Sequence, residues 1–436
     1  MRIVQITPGS GGNFYCENCL RDAALIGAMR KLGCDVVMVP MYLPVQGDEG
    51  EVHSGAPIFF GGINVYLQQK WGVFRKTPRW LDRLFDRHGL LRWIGRRAKM
   101  ISAKELGEAT ISMLRGEEGR QVKELERLVE WLSAAENRPD IICLSNALLT
   151  GLARGIKERL GVPVVSLLQD EDGFLDGLAS PYSKKAWEII IERAKDIDAF
   201  VAVSRYYADV MRQRMGLDAS QISVVHIGIS LDGYAPREKA PDVPTIGYLS
   251  RMCPEKGLDT LVDAFIILKK DEQLKNARLR VAGGKSGDDE VFLSRIRQNL
   301  DSCRVLNDVE FIANFMRESK IAFLRSLSLL SVPEKRSVSY GLYVLEALAA
   351  GVAVVQPASG VFMELLDETG GGVLCEPNDA VRLAAAMKPL LIDREYAQRL
   401  GEQGREAVFK KFKVEQTARE LVRIYEMIIQ KFHWGK

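Results

Sequence analysis

Four loops of this 436-residue chain hold the side chains best suited to chemistry. Arg251 and Lys256 stand five residues apart in Arg251-Met252-Cys253-Pro254-Glu255-Lys256-Gly257, between a strand and a helix. Arg offers a planar fork of donors and Lys a point charge, a combination suited to clamping a diphosphate. In Ser331–Glu364, Pro333 stops a strand, Tyr340-Gly341 introduces a short apolar helix, Leu342–Ala350, and Gly351 ends it. Helix N-termini with free backbone N–H groups suit phosphate. Glu346 lies inside that helix among Leu342, Val344, Leu345, Ala347 and Leu348, where a carboxylate needs a partner. Sugar hydroxyls can supply one, and so can a basic side chain; both readings stay open. Gln169-Asp170-Glu171-Asp172 closes the strand Val162–Leu168, and its carboxylates either bind acceptor hydroxyls or form a solvated loop. The first loop, Thr7-Pro8-Gly9-Ser10-Gly11-Gly12-Asn13, lets the backbone approach an anion or is simply a tight turn. It matches neither G-x-G-x-x-G nor the P-loop.

Strands of a parallel α/β sheet must position these loops. Arg2–Ile6, Asp35–Val39, Asp140–Leu144, Val162–Leu168, Ala199–Ser204 and Ser223–Ile227 read as strands in the first half. Thr245–Ser250, Leu279–Gly284, Val309–Ala313, Leu327–Val332, Val352–Gln356 and Gly371–Cys375 read so in the second, with helices between. Ligands bind at the carboxyl edge of such sheets. Asp232–Pro244, rich in proline, glycine and charge, reads as the inter-domain linker.

Composition bounds the function. Hydrophobic residues at 47% and charged residues at 27% describe an ordinary globular chain long enough for two cores. A net charge of +3 argues against bulk nucleic-acid binding. With no membrane-length apolar run and no signal-peptide pattern, the expected location is the cytoplasm. Cys16 and Cys19 in Cys-x-x-Cys spacing at a helix start raise a redox or metal reading. A structural zinc needs four ligands, and the four histidines (His53, His88, His226 and His433) are scattered, so no metal site is expected. Met41–Arg138 reads as a mainly helical insertion holding a strand candidate, Gly61–Leu67. Its segment Arg75–Lys99 sets nine basic residues against two acidic ones. Such a helix either packs its apolar face inside or lies on an anionic membrane as a peripheral contact.

Together these residues resemble a nucleotide-sugar-dependent glycosyltransferase of the GT-B type, most similar to glycosyltransferase family 4 (glycosyl transferase group 1). The N-terminal half is also similar to starch and glycogen synthases, Gly61–Leu67 included. The resemblance covers nearly the whole length and rests on Gly9–Gly12, Ser250-Arg251 through Lys256-Gly257, Ser339 through Gly351, and Gly360 to Glu364. It implies two doubly wound Rossmann-like parallel-sheet domains facing each other across a cleft. The acceptor-side domain would span 1–235, joined by a C-terminal helix at about 415–436, and the nucleotide-sugar domain 236–414. It further implies sugar transfer from a nucleoside diphosphate sugar to an acceptor hydroxyl with retention, on a glycan or lipid-linked acceptor. No metal or other cofactor would be needed. Arg251 and Lys256 would hold the leaving diphosphate. Gly11, Gly12, Tyr340, Gly341 and Leu342 would meet the donor, and Glu346 the ribose hydroxyls. Gln169 and Asp170 would lie on the acceptor or sugar side.

Three departures stand against this. The family carries a glutamate eight residues before the one matched by Glu346, and here that position is Val338; Glu334 is near but out of register. The family's histidine after an N-domain strand corresponds to Gln169, and its Asn-Gly turn reads Ile227-Gly228. Val338 and Gln169 therefore keep a rival open: a glycosyltransferase-like protein that binds nucleotide or glycan without turnover.

Overall fold

A computed structural model describes residues 1–8, 17–42, 46–47, 50–51, 57, 59, 103–236, 240–285, 287–313 and 317–434. Gly9–Gly12, Cys16, the side chain of Cys19, Gly61–Leu67 and Arg75–Lys99 lie outside the described residues.

In chain order the first half runs β1 (Arg2–Thr7), α1 (Glu17–Lys31), β2 (Asp35–Pro40), β3 (Gln46–Gly47), β4 (Gly50–Glu51), α2 (Ala103–Leu114), α3 (Val122–Ser133) and β5 (Ile141–Leu144). It continues with α4 (Ala153–Leu160), β6 (Val164–Leu168), α5 (Glu171–Asp176), α6 (Tyr182–Arg193), β7 (Ala199–Ala202), α7 (Arg205–Met215) and β8 (Ile222–Val224). The second half runs β9 (Thr245–Leu249), α8 (Leu258–Leu268), β10 (Arg278–Gly283), α9 (Glu290–Ser302), β11 (Val309–Ala313), α10 (Arg317–Arg325) and β12 (Leu329–Leu330). Then come α11 (Leu342–Ala349), β13 (Ala353–Pro357), α12 (Val361–Thr369), β14 (Gly372–Cys375), α13 (Ala380–Ile392), α14 (Arg394–Lys411) and α15 (Val414–Trp434).

Among the described residues two six-stranded sheets form, ordered β2-β1-β5-β6-β7-β8 and β11-β10-β9-β12-β13-β14, every pair parallel. The strands are near-continuous apolar runs because helices cover both faces of each sheet. Strand order reverses between β1 and β5 in one sheet and between β9 and β12 in the other. At such switch points neighbouring loops diverge and open a crevice beyond the carboxyl ends of the strands. The loop holding Arg251 and Lys256 leaves β9, and the loop to Gly341 leaves β12, so both border the second switch point.

Sequence and structure differ at the edges. Only Leu329–Leu330 of the expected strand Leu327–Val332 pairs with neighbours on both sides. Ser331 N still bonds Gly247 O at 2.9 Å, but Glu334 N turns back onto Val332 O at 2.8 Å, which bends the chain into the cleft. Likewise, the stretch after Asp170 is the short helix α5 and not an open loop.

The chain passes between the sheets twice, at one place. Ile229 N donates to Phe412 O at 2.9 Å and Val414 N to Ile229 O at 3.0 Å, a parallel bridge between outgoing and returning segments. A Cβ on Gly228 would stand 2.4 Å from the carbonyl of Lys413, which accounts for glycine there. Past this bridge α15 buries Val414, Ala418, Leu421 and Tyr425 with Ile3, Met29, Ile141 and Val165 of the first sheet and α1. No described helix is long and apolar enough to cross a membrane.

Candidate functional site

The second switch point is built by close approach of two loops. Gly257, at φ +70°, comes so near Pro333 that a Cβ would stand 1.9 Å from its carbonyl oxygen. Lys335 N donates to Glu255 O at 3.0 Å and ties the same loops. Lys256 Nζ thereby reaches Glu334 Oε1 at 2.7 Å, and the Tyr343 hydroxyl donates to the same oxygen at 3.0 Å. Glu334 is buried, and that burial pushes its carboxyl above the ordinary range although Lys256 opposes the shift. Arg251, half-buried, forks onto Asp289: Nε to Oδ2 and Nη2 to Oδ1, both 3.1 Å. Each cation anticipated from sequence thus carries a carboxylate partner that sequence reasoning did not assign.

Helix α11 is buried along its whole length and starts at Gly341 with no side-chain cap. Its first N–H groups lack intrahelical partners for want of a preceding turn. Tyr340, Gly341 and Leu342 line a narrow cavity with Val203, His226 and Phe412, between the two halves. One turn into the helix, Glu346 Oε1 accepts from Lys320 Nζ at 2.6 Å, and both side chains are buried. Of the two readings of Glu346, the basic partner is therefore present. Its Oε2 is buried without a hydrogen-bond partner among the described residues. Such an atom costs about 1–3 kcal/mol unless something donates to it.

The opposing N-terminal edge is not a solvated loop. Glu171, 2% exposed, accepts from Ala147 N (2.9 Å), Gln169 N (2.7 Å) and the Tyr207 hydroxyl (2.7 Å). Burial still lifts its carboxyl to about 7. With these donors Glu171 braces the loop. Gln169 turns its amide onto Ser145 O. Asp170 sits in the left-handed region at φ 60°, rare for a residue with a side chain, and points its Oδ1 across the cleft to Ser339 N at 2.8 Å. Its own burial raises its carboxyl, and Lys256 acts against that rise.

Further contacts join the halves, and none was legible locally. Ser204 Oγ caps α7 and donates to Ser339 O at 2.8 Å. Glu364 takes Arg205 N at 3.1 Å and Tyr206 N at 2.9 Å, one on each carboxylate oxygen, and lies 2.6 Å from His226 Nε2. Burial alone would raise this carboxyl; His226 and the two N–H groups hold it below the usual glutamate range. Arg205 also pairs with Glu368 at 2.7 Å. The sequence showed His226 only as one of four scattered histidines. Gly11 and Gly12 lie outside the described residues; Tyr340, Gly341 and Leu342 line the cavity between the halves and Asp170 reaches Ser339 across the cleft, whereas Arg251 is held by Asp289, Lys256 by Glu334, Glu346 by Lys320 and Gln169 by Ser145 O. Val338, 7% exposed, is wedged in the core, and its backbone is pressed against Gly360.

Residues 235–407 match the family model for glycosyl transferases group 1, and residues 105–232 the one for glycosyltransferase family 4. A GDP-mannose-dependent alpha-(1-6)-phosphatidylinositol monomannoside mannosyltransferase of Mycobacterium tuberculosis is 27% identical over 240 residues, 51% of this chain and 60% of that protein. The chain therefore aligns with less than two thirds of that relative's length. A glycogen synthase of the same species is 24% identical over 297 residues, covering 66% of this chain and 69% of the synthase. In fold, the chain is similar to a sucrose-phosphate synthase from Thermosynechococcus elongatus, with a TM-score of 0.71 at 18% identity over 99% of both chains. Anabaena Alr3699/HepE in complex with UDP-glucose gives 0.66 at 14% identity, over 98% of this chain and 100% of the other.

Proposed function

Since the chain belongs to the group 1 glycosyltransferases and has the GT-B fold, we propose that it moves a sugar from a nucleoside diphosphate sugar to an acceptor hydroxyl, with retention at the anomeric carbon. The observation that carries this reading is the constellation around the second switch point. Two cations, Arg251 and Lys256, stand on the loop after β9, beside the loop from β12 that leads to the N-terminus of α11, and Glu346 one turn into that helix has an oxygen with no partner among the described residues. A nucleotide sugar carries complementary groups: phosphate oxygens for the cations and N–H donors, and ribose hydroxyls for Glu346.

In this mechanism the leaving diphosphate gathers negative charge as the glycosidic bond breaks, and preorganised donors stabilise it. Arg251 and Lys256 do this from side chains, and Gly341 and Leu342 from backbone. Lys256 carries three N–H donors, one of which goes to Glu334. Positive charge builds at the anomeric carbon, as in glycoside hydrolysis. The loop Gln169–Asp170 faces that side of the cleft. The acceptor meets residues 1–235 and the donor 236–414, with Gly11 and Gly12 against the donor. No metal is required, because cations and helix terminus take over the leaving-group charge. A relative named as a phosphatidylinositol monomannoside mannosyltransferase and another named as a glycogen synthase support a glycan or a lipid-linked glycan as the acceptor class.

The rival, binding without turnover, draws on Val338. It is buried and apolar where the family has a carboxylate. Calorimetric screening of nucleotide sugars, followed by an assay for released nucleoside diphosphate, separates the two. Binding with release supports transfer. Binding without release, in the presence of glycan and lipid acceptors, supports the rival, and absence of any nucleotide binding removes both.

A further inference from the structure

Asp170 departs from two local habits at once. It is the N-cap residue of α5, a place where an aspartate ordinarily accepts from an N–H group of the helix's first turn. Here its side chain makes no such bond, and Asp172 N donates to the Tyr207 hydroxyl at 3.3 Å instead. Its backbone stands at φ 60°, not in the extended conformation usual for an N-cap. The carboxylate is turned across the cleft, where Oδ1 accepts from Ser339 N at 2.8 Å. Ser339 is held a second time, since Ser204 Oγ donates to its carbonyl oxygen at 2.8 Å. The first half thus takes both backbone groups of one buried residue of the second half. That residue stands two before Gly341, where α11 begins.

From this double hold we infer that Asp170 and Ser204 are positioning residues for the donor: through Ser339 they set the path by which the chain enters the first turn of α11. The inference rests on the proposed nucleotide-sugar site and deepens it, because the first half then helps to build the phosphate end of a site carried by the second. The peptide plane between Val338 and Ser339 is fixed by Val361 N on its carbonyl, at 3.1 Å, and by Asp170 on its N–H. The next plane, between Ser339 and Tyr340, is fixed by Ser204. Two successive planes so held leave little freedom to the N–H groups that Gly341 and Leu342 offer to phosphate. Such groups bond an oxygen only within about 2.7–3.2 Å, so a shift of one ångström would lose the contact. A strained conformation such as that of Asp170 persists only where its surroundings sustain it, and here the cross-cleft bond does so.

The test separates the bond from the charge and from the strain. Asp170→Gly accepts positive φ and removes the acceptor. Asp170→Asn also tolerates positive φ and keeps an oxygen for Ser339 N, but carries no charge. Ser204→Ala takes away the second bond. UDP, GDP and ADP are titrated calorimetrically into the full chain of each variant; they carry no sugar, so contact of Asp170 with a transferred sugar does not enter. Asp170→Gly and Ser204→Ala should each bind the preferred diphosphate about tenfold more weakly than the parent, and Asp170→Asn within about twofold of it. The matching nucleoside, which has no phosphate for α11, should bind all four proteins alike. Parent affinity in Asp170→Gly overturns the inference, as does an Asp170→Asn variant as weak as Asp170→Gly, or an equal loss of nucleoside binding. Should Asp170→Gly fail to fold, parent affinity in Ser204→Ala overturns it in the same way. A parent protein that binds no nucleotide is a different result and removes the proposed site as well.

Discussion

Two helices point their N-termini into the cleft, one from each sheet, and their first turns are treated in opposite ways. At α7 the N–H groups of Arg205 and Tyr206 are already taken by Glu364 from the other half, and Ser204 caps the turn. At α11 no side chain caps the turn. A helix N-terminus attracts an anion in either case. The first has been given one by the protein itself; the second, on the proposed function, is where the donor phosphate would sit. The same contrast separates the carboxyls. Glu171 has donors on both oxygens, while Glu346 has one oxygen without a partner among the described residues.

Substitutions can break this contrast. The largest effect is expected from Glu346→Ala, which leaves the buried Lys320 ammonium without its carboxylate and should cost about 3–5 kcal/mol in denaturant unfolding. It should also abolish nucleotide binding. Next, Arg251→Ala and Lys256→Ala should each weaken nucleoside diphosphate binding by about 1.5–3 kcal/mol, the range for hydrogen bonds to charged groups. Unchanged affinity in both would sink the clamp. Glu364→Ala, which takes the acceptor from the Arg205 and Tyr206 N–H groups while Ser204 still caps α7, should cost about 1 kcal/mol of stability, seen as a lower melting temperature, with α11 still able to take nucleotide.

The pH dependence sharpens the contrast further. The Glu171 carboxyl is raised from 4.5 to about 7, so its contribution is fully present below pH 4.5 and is lost as pH rises through about 7. The Glu364 carboxyl is depressed, so its contribution is present above the ordinary glutamate pKa and is lost as pH falls through its lower folded value. Glu171→Gln and Glu364→Gln should flatten opposite limbs of a plot of stability against pH. Smallest of all is the effect of chelation: EDTA should leave sugar transfer unchanged, and a lost activity restored by divalent cations would contradict the metal-free reading.

Much of the fold was legible because a parallel sheet covered on both faces writes itself as short apolar runs punctuated by glycine. Arg251, Lys256, Gly341 and Glu346 were legible for a related reason: strand ends and helix starts leave local marks. Their partners were not. Asp289 lies 38 residues from Arg251, Glu334 lies 78 from Lys256, and Glu364 lies 138 from His226. Pairs so far apart leave no periodic trace in the chain. Lys320 lies 26 residues before Glu346, and only packing shows the two buried together.

The bridge at Ile229 and Lys413 has a mechanical consequence. Two threads joined side by side are coupled, so neither can shift lengthwise without breaking the Ile229–Phe412 and Val414–Ile229 bonds or dragging the other. A bulkier residue at Gly228 would press on the Lys413 carbonyl and force the two threads apart.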